Sequence, residues 1–498
     1  MEKIPHLSIS FFTIKYNALK AKVNLFNRVL VKPGVTCLFL FLTFSSYANS
    51  KPKNKIIIYP APSGETLDQH YKVSVEGRNV AVYTAKIAAL NNSDKQVDTA
   101  AFAYFDMQGK AMVSVSVADN ITSVKILPAA TGIAAVIHGN TVSFSVSSPK
   151  NLTIEINGEW LRSLHLFVNP IEINAPKAND PNVIYFGPGI HVISHLEVND
   201  NKTIYVAGGA IVRAVIDSDE KYNINKKDKS HGYSPSIALL GRNITIRGRG
   251  IIDASVCPLH TRNLLFVHGK KINVEGIILR DASTWTVPIQ KSDSVIIDNI
   301  KVFGFRDNSD GIDICNSQNV TVKNCFIRTW DDLVVVKAFK GQGDSKHIFV
   351  TKCVLWNELA HALSIGAELR DNVDDVAFTD CDVIHDTGRE WSFRIYQCDA
   401  GYVSNVRFEN LRVEEAHKFI SLWIGKAVWS VDKEYGHIEN VVFKNITAFG
   451  KPLTVELVGI DAQHGIKGVT FQNILMNGNP LTQDEIKKTP FISNLIVK

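Results

Sequence analysis

The chain has 498 residues, of which 45% are hydrophobic and 21% are charged. That length allows two or three domains with a large core, and the composition excludes an intrinsically disordered protein. The formal net charge is +5, but residues 1–50 alone carry six basic residues and one acidic residue. The remainder is therefore near neutral. Its charge gives no support for nucleic-acid binding, and we expect no nucleic acid among its partners.

Residues 35–47 form a short apolar run that follows Arg28 and Lys32 and precedes the small residues Ala-Asn-Ser. This order is typical of a secretory signal peptide, and the run is too short to favour a membrane span. We interpret residues 1–50 as a leader and predict export to the periplasm or the extracellular space, with no membrane span once the leader is removed. A further 34 residues precede the run. Either the leader is extended or translation starts downstream of Met1, and we favour the second reading.

Residues 51–175 contain short segments in which apolar and polar residues alternate, separated by turns. The candidate strands are 55–59, 72–76, 79–85, 100–105, 112–117, 141–146 and 152–156. Short, regularly spaced, alternating strands predict a β-sandwich domain over residues 51–175. Residues 174–182 are rich in Asn and Pro and are interpreted as a linker.

Residues 176–498 carry a repeated strand motif of five residues. It starts at residues 244, 272, 295, 320, 348, 376, 406, 441 and 469. The fifth position is mostly Gly or Asn, which tolerate a positive φ and so permit a tight corner. A repeat of this period indicates a solenoid, and the leucine cadence of leucine-rich repeats is absent. The predicted fold class is therefore all-β, a right-handed parallel β-helix preceded by a β-sandwich domain.

Cys325, Cys353 and Cys381 occupy the same repeat position, the residue after the corner. They are expected to stack on successive coils at the strand spacing of about 4.8 Å. We interpret them as a buried ladder of thiols, although the spacing would also permit a disulfide.

Four carboxylates fall within 23 residues, beside β-branched runs: Asp310, Asp313, Asp331 and Asp332. Clustered carboxylates raise one another's pKa, so one can stay protonated as an acid while others act as bases. We aligned the coils on the apolar residues Ile312, Leu333, Leu363 and Ile395. This alignment predicts one column with Asp310, Asp331 and His361, a second with Asp332 and Arg394, and a third with Asp313 and Tyr396. The pattern indicates proton-transfer chemistry at one patch of the β-helix.

These motifs resemble those of the polygalacturonases, glycoside hydrolase family 28, whose pattern is N-T-D-G, D-D, G-H-G and R-I-K. The chain has N-S-D-G at 308–311, D-D at 331–332, A-H-A at 360–362 and R-I-Y at 394–396. The resemblance extends over residues 180–480. It implies an inverting glycoside hydrolase that cleaves an α-type bond in a polysaccharide or oligosaccharide, with no cofactor and no metal.

The resemblance also implies roles for single residues. Asp331 would protonate the glycosidic oxygen, while Asp310 and Asp332 would activate the attacking water. His361 would tune the acid, and Arg394 would hold the sugar.

Two departures from the family pattern bear on the substrate. Tyr396 stands where polygalacturonases have a Lys that pairs with a galacturonate carboxylate, and a tyrosine supplies no cation. Ala360 and Ala362 replace the glycines beside the family's His. A sandwich ahead of a β-helix also resembles glycoside hydrolase family 49, which acts on neutral α-glucans. A pectic substrate is favoured, and a neutral α-glucan is the other possibility.

Further candidates for substrate contact are weaker. Lys337 could point into the cleft or cap its strand. Glu368 and Arg370 could contact the substrate or pair with each other as surface charges. Aromatic side chains could stack on sugar rings or pack internally, namely Trp330, Trp391 and Trp423.

Two other function classes fit the same predicted fold. A polysaccharide lyase would need Ca²⁺ on the Asp cluster and a basic residue as proton acceptor. A non-catalytic carbohydrate-binding β-helix would bind without cleavage, but it leaves the clustered acids unexplained.

Overall fold

The computed structural model describes residues 54–88, 97–225, 229 and 231–498. The described part consists of strands, loops and two short 3-10 helices, Ala129–Thr131 and Gln483–Glu485. It contains no helix of the length and apolarity that a membrane crossing requires. The predicted leader and its signal peptide, residues 1–50, lie outside the described residues.

Two β-sheets pack face to face in the N-terminal part. One sheet has six strands: Lys55–Ile58, Val82–Ala88, Val97–Gln108, Val124–Leu127, Lys150–Ile156 and Glu159–Pro170. The other has five: Lys72–Val75, Arg78–Val80, Ala111–Ser116, Ala135–His138 and Thr141–Val146. Val75, Phe105, Val113 and Leu164 are fully buried in their shared core. This is the predicted β-sandwich, and the fold class is confirmed.

Three sandwich strands were not predicted: Val124–Leu127, Ala135–His138 and Glu159–Pro170. The last has an uninterrupted buried run, Ser163 to Val168, because its two faces pack on the sandwich core and on the β-helix. A strand buried on both faces lacks the apolar–polar alternation by which strands are recognised.

The rest of the described chain winds through stacked coils of parallel strands. Ile272, for example, pairs with Ile244 one coil earlier and with Val295 one coil later. The strands are Val183–Phe186, Gly189–Ile193, Leu196–Val198, Thr203–Val206, Ala210–Ala214, Ile237–Gly248, Ile251–Asp253, Leu265–Glu275, Ile278–Arg280, Val287–Gln290, Asp293–Asp298, Lys301–Gly304, Ile312–Cys315, Gln318–Lys323, Phe326–Thr329, Val334–Ala338, Ser345–Thr351, Val354–Asn357, Leu363–Leu369, Val373–Thr379, Asp382–Gln397, Tyr402–Ile424, His437–Gly450, Val455–Val458, Ile466–Met476, Asn479–Pro480, Ile486–Lys488 and Ile492–Val497. A separate hairpin joins Tyr222–Ile224 to His231–Tyr233. The predicted parallel β-helix is confirmed.

The corners of the coils have the predicted backbone. All nine fifth positions of the repeat have a positive φ, for example 56° at Asn324 and 56° at Asn410. Asparagine side chains also bond along the stack, since Asn445 donates to Asn410 (3.0 Å) and Asn473 to Asn445 (3.0 Å). The cysteines after three of these corners are buried and free, which confirms the thiol ladder. The backbone N–H of Cys353 donates to the sulfur of Cys381 at 3.4 Å.

One face of the sandwich lies directly on the β-helix. Tyr83, Phe102 and Phe167 from the sandwich share an apolar cluster with Phe303 and Phe326. A buried ion pair crosses the same interface: Arg249 Nε lies 2.9 and 3.0 Å from the two carboxylate oxygens of Asp106. The division of the chain into domains at residues 175 and 176 stays a prediction.

Candidate active site

A cleft of about 350 Å³ opens on the side of the β-helix where several parallel strands begin. Asp310, Asp332 and His361 each precede a strand by two residues, because those strands start at Ile312, Val334 and Leu363. Neighbouring parallel strands bring their starting residues to one edge. The cleft wall contains Trp285, Asn308, Asp310, Trp330, Asp331, Asp332, Lys337, Leu359, Ala360, His361, Ser364, Gly366, Ala367, Glu368, Arg389, Glu390, Arg394, Tyr396 and Trp429.

The strand register differs from the predicted alignment. Ile312 pairs with Val334 rather than with Leu333, and Leu363 pairs with Phe393 rather than with Ile395. On the neighbouring coil the position of Asp310 is therefore occupied by Asp332 and not by Asp331. Arg394 lies opposite Ser364. The alignment was wrong because Leu333, Val334, Phe393 and Ile395 are all buried, so apolarity alone does not distinguish neighbouring registers.

Three carboxylates come together despite this shift. Asp310, Asp331 and Asp332 each offer an oxygen, and these oxygens lie within 4.8 Å of one another. Such a group could hold a cation as well as exchange protons. Asp313 is fully buried beneath the wall and pairs with Lys337 instead of lining the cleft.

The environments of these carboxyls drive their pKa values apart. Burial, followed by the charge of Asp332, raises the pKa of Asp331 to about 6. Burial also tends to raise the pKa of Asp332, but His361 and the charge of Lys337 together outweigh it and lower that pKa below the ordinary value. Burial and the neighbouring carboxylates Asp313 and Asp331 raise the pKa of Asp310 well above its usual range. Burial raises the pKa of Asp313 to about 6. Asp331 thus keeps its proton up to a higher pH than Asp332 does.

A chain of contacts fixes His361 beside the carboxylates. Nη1 of Arg394 lies 3.2 Å from His361 Nε2, and His361 Nδ1 lies 2.6 Å from Asp332 Oδ1. A guanidinium only donates, so Nε2 accepts and the proton on Nδ1 points at Asp332. Arg394 also donates to Glu390 (3.0 Å) and sits over the ring of Tyr396, 3.6 Å from its centroid.

Lys337 points toward the cleft and does not cap its strand at the surface. Its ammonium lies 2.9 Å from Asp313, 3.3 Å from Asp310 and 3.9 Å from Glu368. Burial favours a neutral amine, but these carboxylates outweigh it and raise the pKa of Lys337 well above its usual value. The ammonium also lies 4.0 Å from the ring centroid of Trp285.

Glu368 and Arg370 do not pair with each other. Glu368 lines the cleft beside Lys337, whereas Arg370 is outside the wall and pairs with Asp399 at 2.9 Å. Arg370 also donates to the backbone carbonyl of Trp429 at 3.1 Å. Glu368 lies in the strand Leu363–Leu369, whereas Arg370 follows the end of that strand, where the chain turns toward Asp399.

The three tryptophans that were candidates for stacking on sugar rings lie in different environments. Trp330 lines the cleft. Trp391 is buried, and the edge of Trp423 packs against Tyr396 with 5.1 Å between the ring centroids.

The wall residues that were not among the predicted site residues include Trp285, Asn308, Arg389, Glu390 and Trp429. Asn308 belongs to the N-S-D-G motif, so its closeness to Asp310 in the sequence could have identified it as a site residue. The other four are outside the motifs: Trp285 and Trp429 reach the cleft on loops, whereas Arg389 and Glu390 lie in the strand Asp382–Gln397.

The comparisons with known proteins agree with the predicted resemblance. Residues 250–495 match the family described as "Glycosyl hydrolases family 28". The chain is 31% identical over 157 residues to an endo-polygalacturonase of Pectobacterium carotovorum subsp. carotovorum, which covers 30% of this chain and 36% of that protein. It is 26% identical over 222 residues to the exopolygalacturonase clone GBGE184 of Arabidopsis thaliana, with coverages of 41% and 47%. The chain thus spans about a third to a half of the length of these curated relatives.

Two solved structures share the fold. Dex49A from Penicillium minioluteum has a TM-score of 0.61 at 14% identity, covering 89% of this chain and 96% of that chain. A hyperthermoactive exopolygalacturonase from Thermotoga maritima has a TM-score of 0.50 at 17% identity, with coverages of 59% and 79%.

Proposed function

We propose that this chain, which resembles glycosyl hydrolases family 28 over residues 250–495, is an exported glycoside hydrolase. It cleaves an α-type glycosidic bond in a polysaccharide or oligosaccharide, with inversion, and its substrate class is pectic. The observation that carries the proposal is a pair of adjacent carboxyls whose pKa values shift in opposite directions. The pKa of Asp331 is raised to about 6, and the pKa of Asp332 is lowered. Acid–base hydrolysis needs one protonated and one ionised carboxyl at the same bond.

Asp331 is the general acid, and it gives its proton to the leaving oxygen. Asp332 is ionised and takes a proton from the attacking water, with His361 holding it in that state. Asp310 shares the pocket with Asp332 and orients that water. Its raised pKa favours the protonated form of Asp310, which hydrogen-bonds to the water but cannot take a proton from it.

The stereochemical course is open to a direct test. Acid and base carboxyls in inverting enzymes are typically about 6.5–9.5 Å apart, whereas the nearest oxygens here lie within 4.8 Å. Inversion follows from the family resemblance, and retention would follow from the short spacing. Proton NMR of the first-formed product separates them: inversion of an α-linkage releases the β-anomer.

The cleft residues support hydrolysis over the two rival functions. A lyase needs a neutral base, and the only lysine of the described cleft wall, Lys337, is held as an ammonium by Asp313, Asp310 and Glu368. The carboxylate group could still bind the Ca²⁺ of a lyase. A binding module has no use for carboxyls with separated pKa values.

Product analysis distinguishes these functions. The exported form, residues 51–498, is incubated with pectic fragments and α-glucans, with and without a chelator. New reducing ends without ultraviolet absorbance support hydrolysis. Absorbance from an unsaturated product that disappears with the chelator means a lyase, and binding without products means a non-catalytic module.

A further inference from the structure

The charged side chains of the cleft wall carry information about the substrate that the catalytic carboxyls do not. Lys337, Arg389 and Arg394 are the lysine and arginines of the described wall. Lys337 is surrounded by Asp310, Asp313 and Glu368. Three carboxyl groups therefore already surround the Lys337 ammonium within 4 Å.

Glu390 is the carboxylate beside the two arginines, of which Arg389 keeps 70% of its side chain exposed. Its Oε2 accepts from Arg394 Nη1 at 3.0 Å, and its Oε1 lies 3.5 Å from Arg389 Nε. The Arg394 guanidinium also covers the ring of Tyr396, 3.6 Å from the centroid. The Glu390 side chain keeps 31% of its surface exposed, so its carboxylate faces any sugar that enters here.

A uronate sugar held at Arg394 would meet the Glu390 carboxylate, because Arg394 is already paired with Glu390. Two like charges that meet in an interface repel each other, and partial exclusion of water at the wall limits screening. An uncharged sugar meets no such repulsion, and it can still accept hydrogen bonds from Arg394.

We propose that the sugar held at Arg394 and Tyr396 is uncharged, and that Glu390 is the residue that selects against a uronate there. The proposal rests on the proposed glycoside hydrolase function. The uncharged sugar is either a neutral sugar or a uronate whose carboxyl is esterified. Neither the neutral sugar nor the esterified uronate carries a carboxylate. They differ in the group at the sugar's C6, which is an ester only in the uronate.

Three forms of one polymer test the proposal with the wild-type protein. Polygalacturonate, the same polymer after methyl esterification and the same polymer after reduction of its carboxyls are compared for release of reducing ends. We expect kcat/KM on at least one uncharged form to exceed that on polygalacturonate by about tenfold, which corresponds to about 1.4 kcal/mol. Cleavage of the methyl ester alone identifies an esterified uronate, and cleavage of the reduced form identifies a neutral sugar. Equal or faster cleavage of polygalacturonate overturns the proposal.

A Glu390→Gln variant tests the residue. Glutamine keeps an acceptor for Arg394 but removes the charge, so the preference for the uncharged polymer should fall by about tenfold. Glu409→Gln is the matched control, because Glu409 is a partly exposed carboxylate that pairs with Lys444 at 2.8 Å outside the cleft wall. The control should keep the wild-type preference. An unchanged preference in Glu390→Gln overturns the role of Glu390.

Failure of the proposed function gives a different result. If none of the three polymers is cleaved, dextran is assayed in the same way. Cleavage of dextran supports an uncharged sugar and removes the pectic substrate class. If nothing is cleaved, the hydrolase function fails, and the affinities for the three polymers test the uncharged site. Tighter binding of polygalacturonate than of its esterified and reduced forms overturns that site, and weaker binding supports it.

Discussion

Asp331 and Asp332 are neighbours in the chain, yet their carboxyls experience opposite environments. The Asp331 carboxyl is affected mainly by burial and by the charge of Asp332. The Asp332 carboxylate accepts from His361 at 2.6 Å, which stabilises the ionised form. Contact with one buried histidine thus helps to give two chemically identical side chains opposite pKa shifts.

Replacement of Asp331 by Asn should abolish turnover and leave the fold intact. The amide has nearly the same volume and still accepts the hydrogen bond that the Asn308 N–H donates to Asp331. Loss of a general acid costs about 10²–10⁴ in rate. Turnover is measured on the cleaved substrate, and folding by circular dichroism, with the exposed Asp461→Asn as control. Near-normal turnover in Asp331→Asn would contradict the assignment.

Activity should decline as the pH rises through about 6. The general acid must be protonated, and the pKa of Asp331 is raised to about 6, so each further pH unit removes about nine-tenths of the active form. At low pH the activity should persist below the ordinary Asp pKa, because Asp332 stays ionised there. The check is the dependence of kcat on pH. A flat profile well above neutrality would exclude Asp331 as the acid.

At the scale of elements, a loop beside the cleft depends on Arg370. The loop connects Tyr402–Ile424 to His437–Gly450 and presents Trp429, which is 45% exposed, to the cleft. Arg370 donates to the Trp429 carbonyl, and its partner Asp399 accepts from the backbone N–H groups of Val431 (2.6 Å) and Asp432 (2.8 Å). Arg370 is therefore a positioning residue for one wall of the cleft.

An Arg370→Ala variant should bind substrate less tightly while its chemistry is preserved. We expect KM to rise by about three- to tenfold with little change in kcat, since contacts that are equal in the ground and transition states affect only KM. Arg412→Ala is the control, because Arg412 pairs with Asp382 outside this cleft. A fall in kcat at constant KM would mean that Arg370 acts on the catalytic carboxyls.

At the scale of the whole molecule, the sandwich and the β-helix are joined by buried charges as well as by aromatic rings. Asp106 of the sandwich is fully buried and holds Arg249 of the β-helix, and Tyr59 donates to the same carboxylate at 3.0 Å. Such a pair contributes little net stability when complete, but each member depends strongly on the other.

Replacement of Asp106 by Asn should destabilise the protein by about 3–5 kcal/mol, because it leaves the Arg249 charge buried without a counter-ion. The free energy of unfolding is measured with denaturant. Glu409→Gln, which breaks a surface pair with Lys444, should cost about 0–1 kcal/mol. A loss as small as that in Asp106→Asn would show that the interface does not depend on the pair.

The sequence by itself determined the β-helix and the catalytic candidates. A corner that requires a positive φ restricts the residue type at every coil, so the Asn and Gly positions could be read directly. The carboxylates were recognisable because they cluster within 23 residues and resemble known motifs. Local backbone constraints and short-range clustering are properties of the chain itself.

Only the tertiary structure decided the register and the composition of the cleft wall. Several buried apolar residues in succession leave a one-residue shift of the strand register undetermined from the sequence. In the structure Ile312 pairs with Val334, and this pairing places Asp332 rather than Asp331 next to Asp310 on the neighbouring coil. Trp429 reaches the cleft on a loop, Glu390 lies at the cleft in the strand Asp382–Gln397, and Arg370 is outside the cleft wall and pairs with Asp399. These outcomes depend on which distant groups satisfy each charge, and that is settled by packing between coils rather than by sequence neighbours.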